Sequence, residues 1–380
     1  MKTMLRIALA LTLSVTAGAT ARAQDEDPFL VNVVESTGGF MHLRYGVPAL
    51  VFGVVRDGEI VVRGFGERRD GSGEAPNGDT LLRIGSITKT FTGATLAGLV
   101  ADGTVSFTDK LQDSLDWGIE FPSRDGRAIR LIDLATHTSG LPREASAPPG
   151  PADDPFSNVT REAMIADLEG DPLGFTPGTG ATYSNFGFNL LALALEERSG
   201  TPYRELLQER VLGPIGLTST TYELPDDLDN VMQGHDFFGQ PMADAPTSGL
   251  IEGTGGLFST PNDILRWAAW HLDQASDVEA ELRLLDQAAY IPRDTLDVVY
   301  GFDESGHMDA LGLGWIVMHR TADRPTILQK AGGRQGNFSY VAFAPGAGVA
   351  AFVTINSFNL DAAGAMAETV NDLIGQLAQP

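Results

Sequence analysis

The stretch Arg83-Ile84-Gly85-Ser86-Ile87-Thr88-Lys89 pairs a hydroxyl with an amine three residues later. On a helix, positions i and i+3 share a face, so the Lys89 amine reaches the Ser86 hydroxyl. A serine is a weak nucleophile until a base takes its proton. A lysine serves as that base only when burial or another cation lowers its pKa. The same residues would also suit a helix cap with a solvated lysine, and the pair alone decides nothing. A second stretch, Tyr183-Ser184-Asn185, places a phenol and an amide on one short turn. The phenol can shuttle a proton where cations favour its anion, and the amide can donate to a substrate carbonyl. A core tyrosine and a helix-capping asparagine are the plainer reading. A third stretch, Gln329-Lys330-Ala331-Gly332-Gly333, puts an ammonium beside bare backbone at a strand edge. Substrate could pair there like an added strand, or Lys330 could simply be a surface lysine.

These groups need elements to hold them. Val51, Val54, Val55, Ile60, Val61 and Val62 flank Asp57-Gly58, which predicts a β-hairpin over Leu50–Glu67. Phe338–Ala344 and Val349–Ile355 predict a second β pair around Pro345-Gly346-Ala347-Gly348. Met366, Val370, Leu373, Ile374 and Leu377 share one face of a closing helix. Between these ends the chain reads as helices and loops. One helix is expected from about Ser86 to Ala101, with Ser86 at its N-terminal end, where free N–H groups favour negative charge. Thr201-Pro202 and Thr260-Pro261 mark further helix starts, and Gly200 a helix end. The expected fold is therefore α/β: one antiparallel sheet formed from both chain ends (about 24–85 and 310–380), flanked by helices, plus a mainly helical lobe (about 86–309). A cleft between sheet and lobe is the natural place for a site.

Composition narrows the chemistry. The chain has 380 residues, no cysteine and a net charge of −24. Zero cysteine excludes disulfides, thiolate metal sites and a cysteine nucleophile. The acidity argues against nucleic acid as partner, because a polyanion needs a basic footprint. No Gly-x-Ser-x-Gly elbow and no His-Glu-x-x-His spacing occurs, which disfavours a Ser-His-Asp hydrolase and a metal hydrolase. Of six histidines only His137 has a motif-like setting, and a structural histidine bonded to loop backbone accounts for it. No metal or cofactor is expected. Residues 1–23 resemble a cleavable export leader. Lys2 and Arg6 precede an apolar stretch from Ile7 to Ala17, and Ala21-Arg22-Ala23 offers a cleavage site. The stretch is shorter than the ~20 residues of a membrane span. The mature chain is expected to be secreted, in the periplasm if the host is Gram-negative, with no stable span after cleavage.

The order and spacing of the three stretches resemble the penicillin-recognising serine hydrolases, whose motifs are Ser-x-x-Lys, Ser-Asp-Asn or Tyr-x-Asn, and Lys-Thr-Gly. The Tyr-x-Asn form is similar to the class C β-lactamase branch. Leu134-Ala135-Thr136-His137-Thr138-Ser139-Gly140-Leu141-Pro142, Pro214-Ile215-Gly216-Leu217 and Gly255-Gly256-Leu257-Phe258-Ser259-Thr260 look like further landmarks of that family. Within it, Thr136–Glu144, Asp309–Trp315 and Gln329-Lys330 most resemble the AmpH-type D-alanyl-D-alanine carboxypeptidase/endopeptidases. The resemblance implies a β-lactamase/transpeptidase-like fold over 24–380. It also implies Ser86 as acylated nucleophile, Lys89 and Tyr183 sharing its proton, Asn185 orienting the substrate amide, and Lys330 attracting a substrate carboxylate. The backbone N–H groups of Ser86 and Gly333 would form the oxyanion hole. The implied activity is DD-carboxypeptidase/endopeptidase action on peptidoglycan peptides with penicillin binding. A β-lactamase, a small-substrate esterase or amidase, and a non-catalytic penicillin-binding scaffold are the alternatives. One departure stands out: Ala331 replaces the hydroxyl residue of the third motif, beside Gly332. Arg334 and Asn356 are the side chains expected to compensate in binding substrate.

Overall fold

The computed structural model describes residues 26–151, 154–277, 279–303 and 305–379. The expected leader lies outside them. Among the described residues no helix is long and apolar enough to cross a membrane.

Eight strands form one antiparallel sheet. They are β1 (Ala49–Arg56), β2 (Glu59–Gly66), β3 (Ile291–Pro292), β4 (Ala310–Leu311), β5 (Ile316–Met318), β6 (Ile327–Arg334), β7 (Asn337–Ala344) and β8 (Val349–Ile355), in spatial order β2-β1-β8-β7-β6-β5-β4-β3. Asp57 and Gly58 both take positive φ (52° and 81°), the geometry a two-residue hairpin needs. The two ends of the chain meet where β1 pairs with β8, Phe52 opposite Val353. The expected sheet is therefore present. It also takes in Ile291–Pro292 from inside the segment read as helical. Pro292 lacks an N–H, which suits the far edge where that strand lies.

The long helices are α1 (Pro28–Tyr45), α2 (Thr88–Ala101), α3 (Asn185–Ser199), α4 (Pro261–Leu272) and α5 (Leu360–Leu377). Met366, Val370 and Ile374 of α5 and Leu30, Val34 and Met41 of α1 share one core with Leu50, Phe52 and Val54 of β1. Ile264, Leu265 and Trp267 of α4 cover the opposite face, against Val51, Val55 and Phe352. With both faces covered, every residue of β8 is buried. Helix α1 has no counterpart in the sequence reading; Gly38-Gly39 at its centre is a poor helix-forming pair. In the fold, Gly38 is where the helix touches the sheet: a Cβ there would stand 2.4 Å from the Phe65 ring.

Helix α2 runs through the middle of the molecule, with every residue from Thr88 to Leu99 buried. A helix apolar on one face only could not sit there. Two of its threonines satisfy their hydroxyls locally: Thr90 donates to the Ile87 carbonyl at 2.8 Å and Thr95 to the Phe91 carbonyl at 2.8 Å. Lys89 is carried into the interior by this burial.

Candidate active site

Ser86 lies in a tight 3₁₀ turn, Gly85–Ile87, and the α-helix begins at Thr88, two residues later than expected. Strand β6 presses its edge onto this turn. β5 pairs with β6 only as far as Gln329, and beyond it that edge of β6 meets the Ser86 turn instead of a strand. The glycines permit the approach. A Cβ on Gly332 would lie 2.1 Å from the Ile84 carbonyl oxygen and 3.1 Å from the Ser86 nitrogen, and one on Gly85 would lie 2.6 Å from the Gly333 nitrogen. The Ser86 turn and the Gly332-Gly333 backbone are thus in close contact.

The Lys89 amine stands 3.2 Å from the Ser86 hydroxyl and donates to the Thr254 carbonyl at 2.7 Å. It is fully buried. Burial first, and the nearby Lys330 second, hold its pKa well below the ordinary lysine range. A neutral amine bound to one carbonyl keeps a lone pair for the serine proton.

Tyr183 follows the short strand Gly180–Thr182. The Lys89 nitrogen lies 5.0 Å from its ring centroid, the Lys330 nitrogen 4.7 Å, and the Arg143 guanidinium carbon 4.8 Å. His137 stacks against the phenol with centroids 4.4 Å apart, and its Nδ1 accepts the Ser184 N–H at 3.0 Å. Burial, then the charge on Lys330, pushes the His137 pKa well below its usual value. The ring is a neutral prop for the Tyr183-Ser184 backbone, the structural part expected of it. Lys330 is 2% exposed, and burial followed by the Arg143 charge lowers its pKa to about 7.

Ser184, not Asn185, caps α3: its hydroxyl accepts the Gly187 N–H at 2.9 Å. Asn185 begins the helix. Its amide nitrogen donates to the Glu144 carboxylate and its amide oxygen accepts the Thr254 hydroxyl at 3.0 Å. Three residues the sequence reading did not assign therefore belong to the site: Arg143, Glu144 and Thr254. The first two directly follow the His137–Pro142 segment, and Thr254 precedes Gly255-Gly256, so both landmarks pointed to the right loops without singling out the side chains.

The replacement at Ala331 is not compensated as expected. Ala331 is exposed and alternates with the buried Lys330 and Gly332. Arg334, three residues on, projects with Lys330 and Gly332 on the other face and cannot stand in at that point. Asn356 is completely buried. Its side-chain oxygen accepts the Ala49 N–H at 2.7 Å and its amide donates to the Gln233 carbonyl at 2.9 Å, so it fastens the start of β1 rather than facing substrate.

A recess of about 690 Å³, between Arg320–Leu328 and Pro345–Ala347, contains none of these groups. Among the described residues no cluster of His, Asp or Glu could hold a metal ion. The arrangement offers a hydroxyl with an amine base, a phenol ringed by cations, and backbone donors beside the hydroxyl. That set is suited to acyl transfer through a serine.

The family model described as Beta-lactamase matches residues 21–376. The chain is 34% identical to the D-alanyl-D-alanine-carboxypeptidase/endopeptidase AmpH of Escherichia coli K12, over 99% of this chain and 97% of that one. It is 25% identical to a beta-lactamase of Pseudomonas fluorescens, over 85% of this chain and 92% of that one. The crystal structure of a beta-lactamase/D-alanine carboxypeptidase from Yersinia pestis complexed with citrate superposes with a TM-score of 0.82 at 33% identity, covering 92% of this chain and 99% of that one.

Proposed function

The chain belongs to the beta-lactamase family, and from that membership we propose that it is an exported serine hydrolase working through an acyl-enzyme on Ser86. Its proposed substrates are peptidoglycan peptides ending in D-alanyl-D-alanine, with penicillins as acylating ligands. The observation that carries the reading is the buried, depressed-pKa Lys89 amine 3.2 Å from the Ser86 hydroxyl. A solvated lysine beside a capping serine would have neither property.

In the proposed reaction Lys89 takes the Ser86 proton as the oxygen attacks the substrate carbonyl. The negative oxygen that forms is held by the Ser86 and Gly333 N–H groups. Tyr183, with Lys330 and Arg143 over its ring, relays the proton from Lys89 to the leaving amine. Water then attacks the ester with the same groups as base, and Ser86 is freed. Lys330 attracts the carboxylate of the departing D-alanine. Asn185, held by Glu144 and Thr254, presents its amide along the cleft wall.

Peptidase action is favoured over β-lactamase action by the 34% identity to the AmpH peptidase against 25% to a beta-lactamase. A fluorescent penicillin tests the mechanism: wild type is expected to be labelled covalently and Ser86→Ala to stay unlabelled. Cleavage of purified cross-linked muropeptides, compared with nitrocefin and p-nitrophenyl esters, tests the substrate. Faster turnover of nitrocefin than of muropeptides would overturn the peptidase assignment.

A further inference from the structure

Two arginines lie buried near the catalytic turn without a carboxylate in contact. Arg83 is 4% exposed and donates only to neutral oxygens: the Thr247 hydroxyl at 2.6 Å, the Gly256 carbonyl at 2.9 Å and the Ala245 carbonyl. Arg334 is 8% exposed, and its side chain makes no hydrogen bond or ion pair among the described residues. Its buried Nε has no partner, and its guanidinium lies over the Phe156 ring at 4.2 Å. Its Nη1 would be 3.6 Å from a Cβ on Gly255, which itself would lie 3.8 Å from the Gly85 carbonyl. Gly255 therefore lies between the guanidinium and the turn that carries Ser86, at van der Waals range of both. Of the other charged groups acting on it, Arg83 and Lys89 repel it, and Asp154 favours its charge without forming an ion pair; Asp154 Oδ1 is itself buried without a partner. A buried guanidinium with five donors and no acceptor is costly, and an arriving anion would satisfy it.

The position on β6 says which part of a substrate carries that anion. Lys330 and Arg334 lie on the same face, four residues or roughly 13 Å apart along the strand, with Gly332 and the Ser86 turn between them. Tyr183 stands at the Lys330 end. The leaving group takes its proton there, so the retained acyl portion runs the other way, past Gly333 towards Arg334.

We propose that Arg334, roofed by Phe156 and set beside Gly255, forms an anion subsite for a carboxylate carried on the acyl side of the substrate, distinct from the carboxylate of the departing residue. This rests on the serine-hydrolase reading above and adds a substrate class to it: peptides with an acidic side chain upstream of the scissile bond. Planar, two-pronged donation by arginine suits a carboxylate better than a lysine would.

The test compares the p-nitrophenyl esters of N-acetyl-glutamyl-D-alanine and N-acetyl-glutaminyl-D-alanine, which differ in one acyl-side carboxylate. Wild type is expected to favour the glutamyl ester on the order of ten- to a hundredfold in kcat/KM, as a charge-assisted hydrogen bond implies, mainly through KM. In Arg334→Gln the ratio falls to about one, and Arg334→Lys keeps part of it. Absence of a preference in wild type, or its survival in Arg334→Gln, overturns the proposal. If Arg334 were only a structural counter-charge to Asp154, Asp154→Asn and Arg334→Gln would lower both esters equally, and that result also overturns it. Mass spectrometry of the wild-type protein separates the two readings: no acyl adduct on Ser86 from either ester defeats the serine-hydrolase assignment itself, whereas an adduct from both at equal rates defeats only the subsite.

Discussion

At the scale of single residues the molecule keeps two lysines where lysines are unstable, and that instability is useful. In the proposed reaction Lys89 must be neutral to accept a proton and Lys330 charged to attract a carboxylate, and both sit beside Tyr183. The Lys330 pKa of about 7 makes this arrangement sensitive to pH. As pH rises through about 7 the free enzyme loses the Lys330 charge, so kcat/KM for a carboxylate-bearing peptide is expected to fall on the alkaline side with a midpoint near that value; a profile flat to about pH 9 would contradict it. The stability consequence has a definite sign. The folded pKa lies below the ordinary 10.5, so the unfolded chain binds the additional proton between the two values. The penalty Lys330 imposes is full below about pH 7 and fades as pH climbs towards 10. Lys330→Met is accordingly expected to raise Tm while abolishing peptide cleavage, with a larger Tm gain at about pH 6 than at about pH 9.5, measurable by calorimetry.

At the scale of elements the site depends on one strand edge touching one turn. β6 reaches the Ser86 turn because residues 332 and 85 lack side chains. Gly332→Ala would drive a methyl into the Ile84 carbonyl, 2.1 Å from the ideal Cβ position, and push the strand off the turn. Acylation by penicillin is expected to slow by roughly a hundredfold or more, the effect of losing one oxyanion donor. Gly346→Ala, in the β7–β8 connection with nothing within 4 Å, serves as the control and is expected to acylate at the wild-type rate. The glycines of the third motif were visible in the chain, but their task was not, since it depends on what lies opposite them.

For the whole molecule the sheet and the helical part are joined by more than apolar packing. The Asp286 carboxylate, fully buried, accepts the Trp315 indole N–H at 2.8 Å and meets His271 Nε2 at 2.8 Å, while His271 Nδ1 contacts the Trp267 carbonyl at 2.8 Å. The network ties α4 to the segment ahead of β5. Gly314 in that segment lies against the Lys89 backbone: a Cβ there would stand 2.7 Å from its carbonyl oxygen. Burial raises the Asp286 pKa, so its bonds to His271 and Trp315 carry the local balance. Removing one member leaves the others buried and unpaired. Asp286→Ala is expected to lower the unfolding free energy by about 3 kcal/mol in urea titration. An unchanged urea midpoint would show that the network carries no stability.

The chain's own order determined what is local. The Asp57-Gly58 turn, the β7 and β8 strands, the Thr260 cap and the i, i+3 spacing of Ser86 and Lys89 follow from neighbours a few residues apart, and each was legible because backbone preferences and side-chain periodicity act at that range. The tertiary structure decided which distant groups share the cleft. Lys89 bonds a carbonyl 165 positions away, and Asn356 anchors an N–H 307 positions away, which removes it from the site. Arg143, Glu144 and Thr254 enter because loops far apart in the chain converge on Tyr183 and Asn185. In helix α1 a double glycine, locally a poor helix-forming pair, becomes a close contact once Phe65 is packed beneath it. Spacing along a chain specifies reach; burial and neighbouring like charge, which set the lysine pKa values, exist only after the chain has folded.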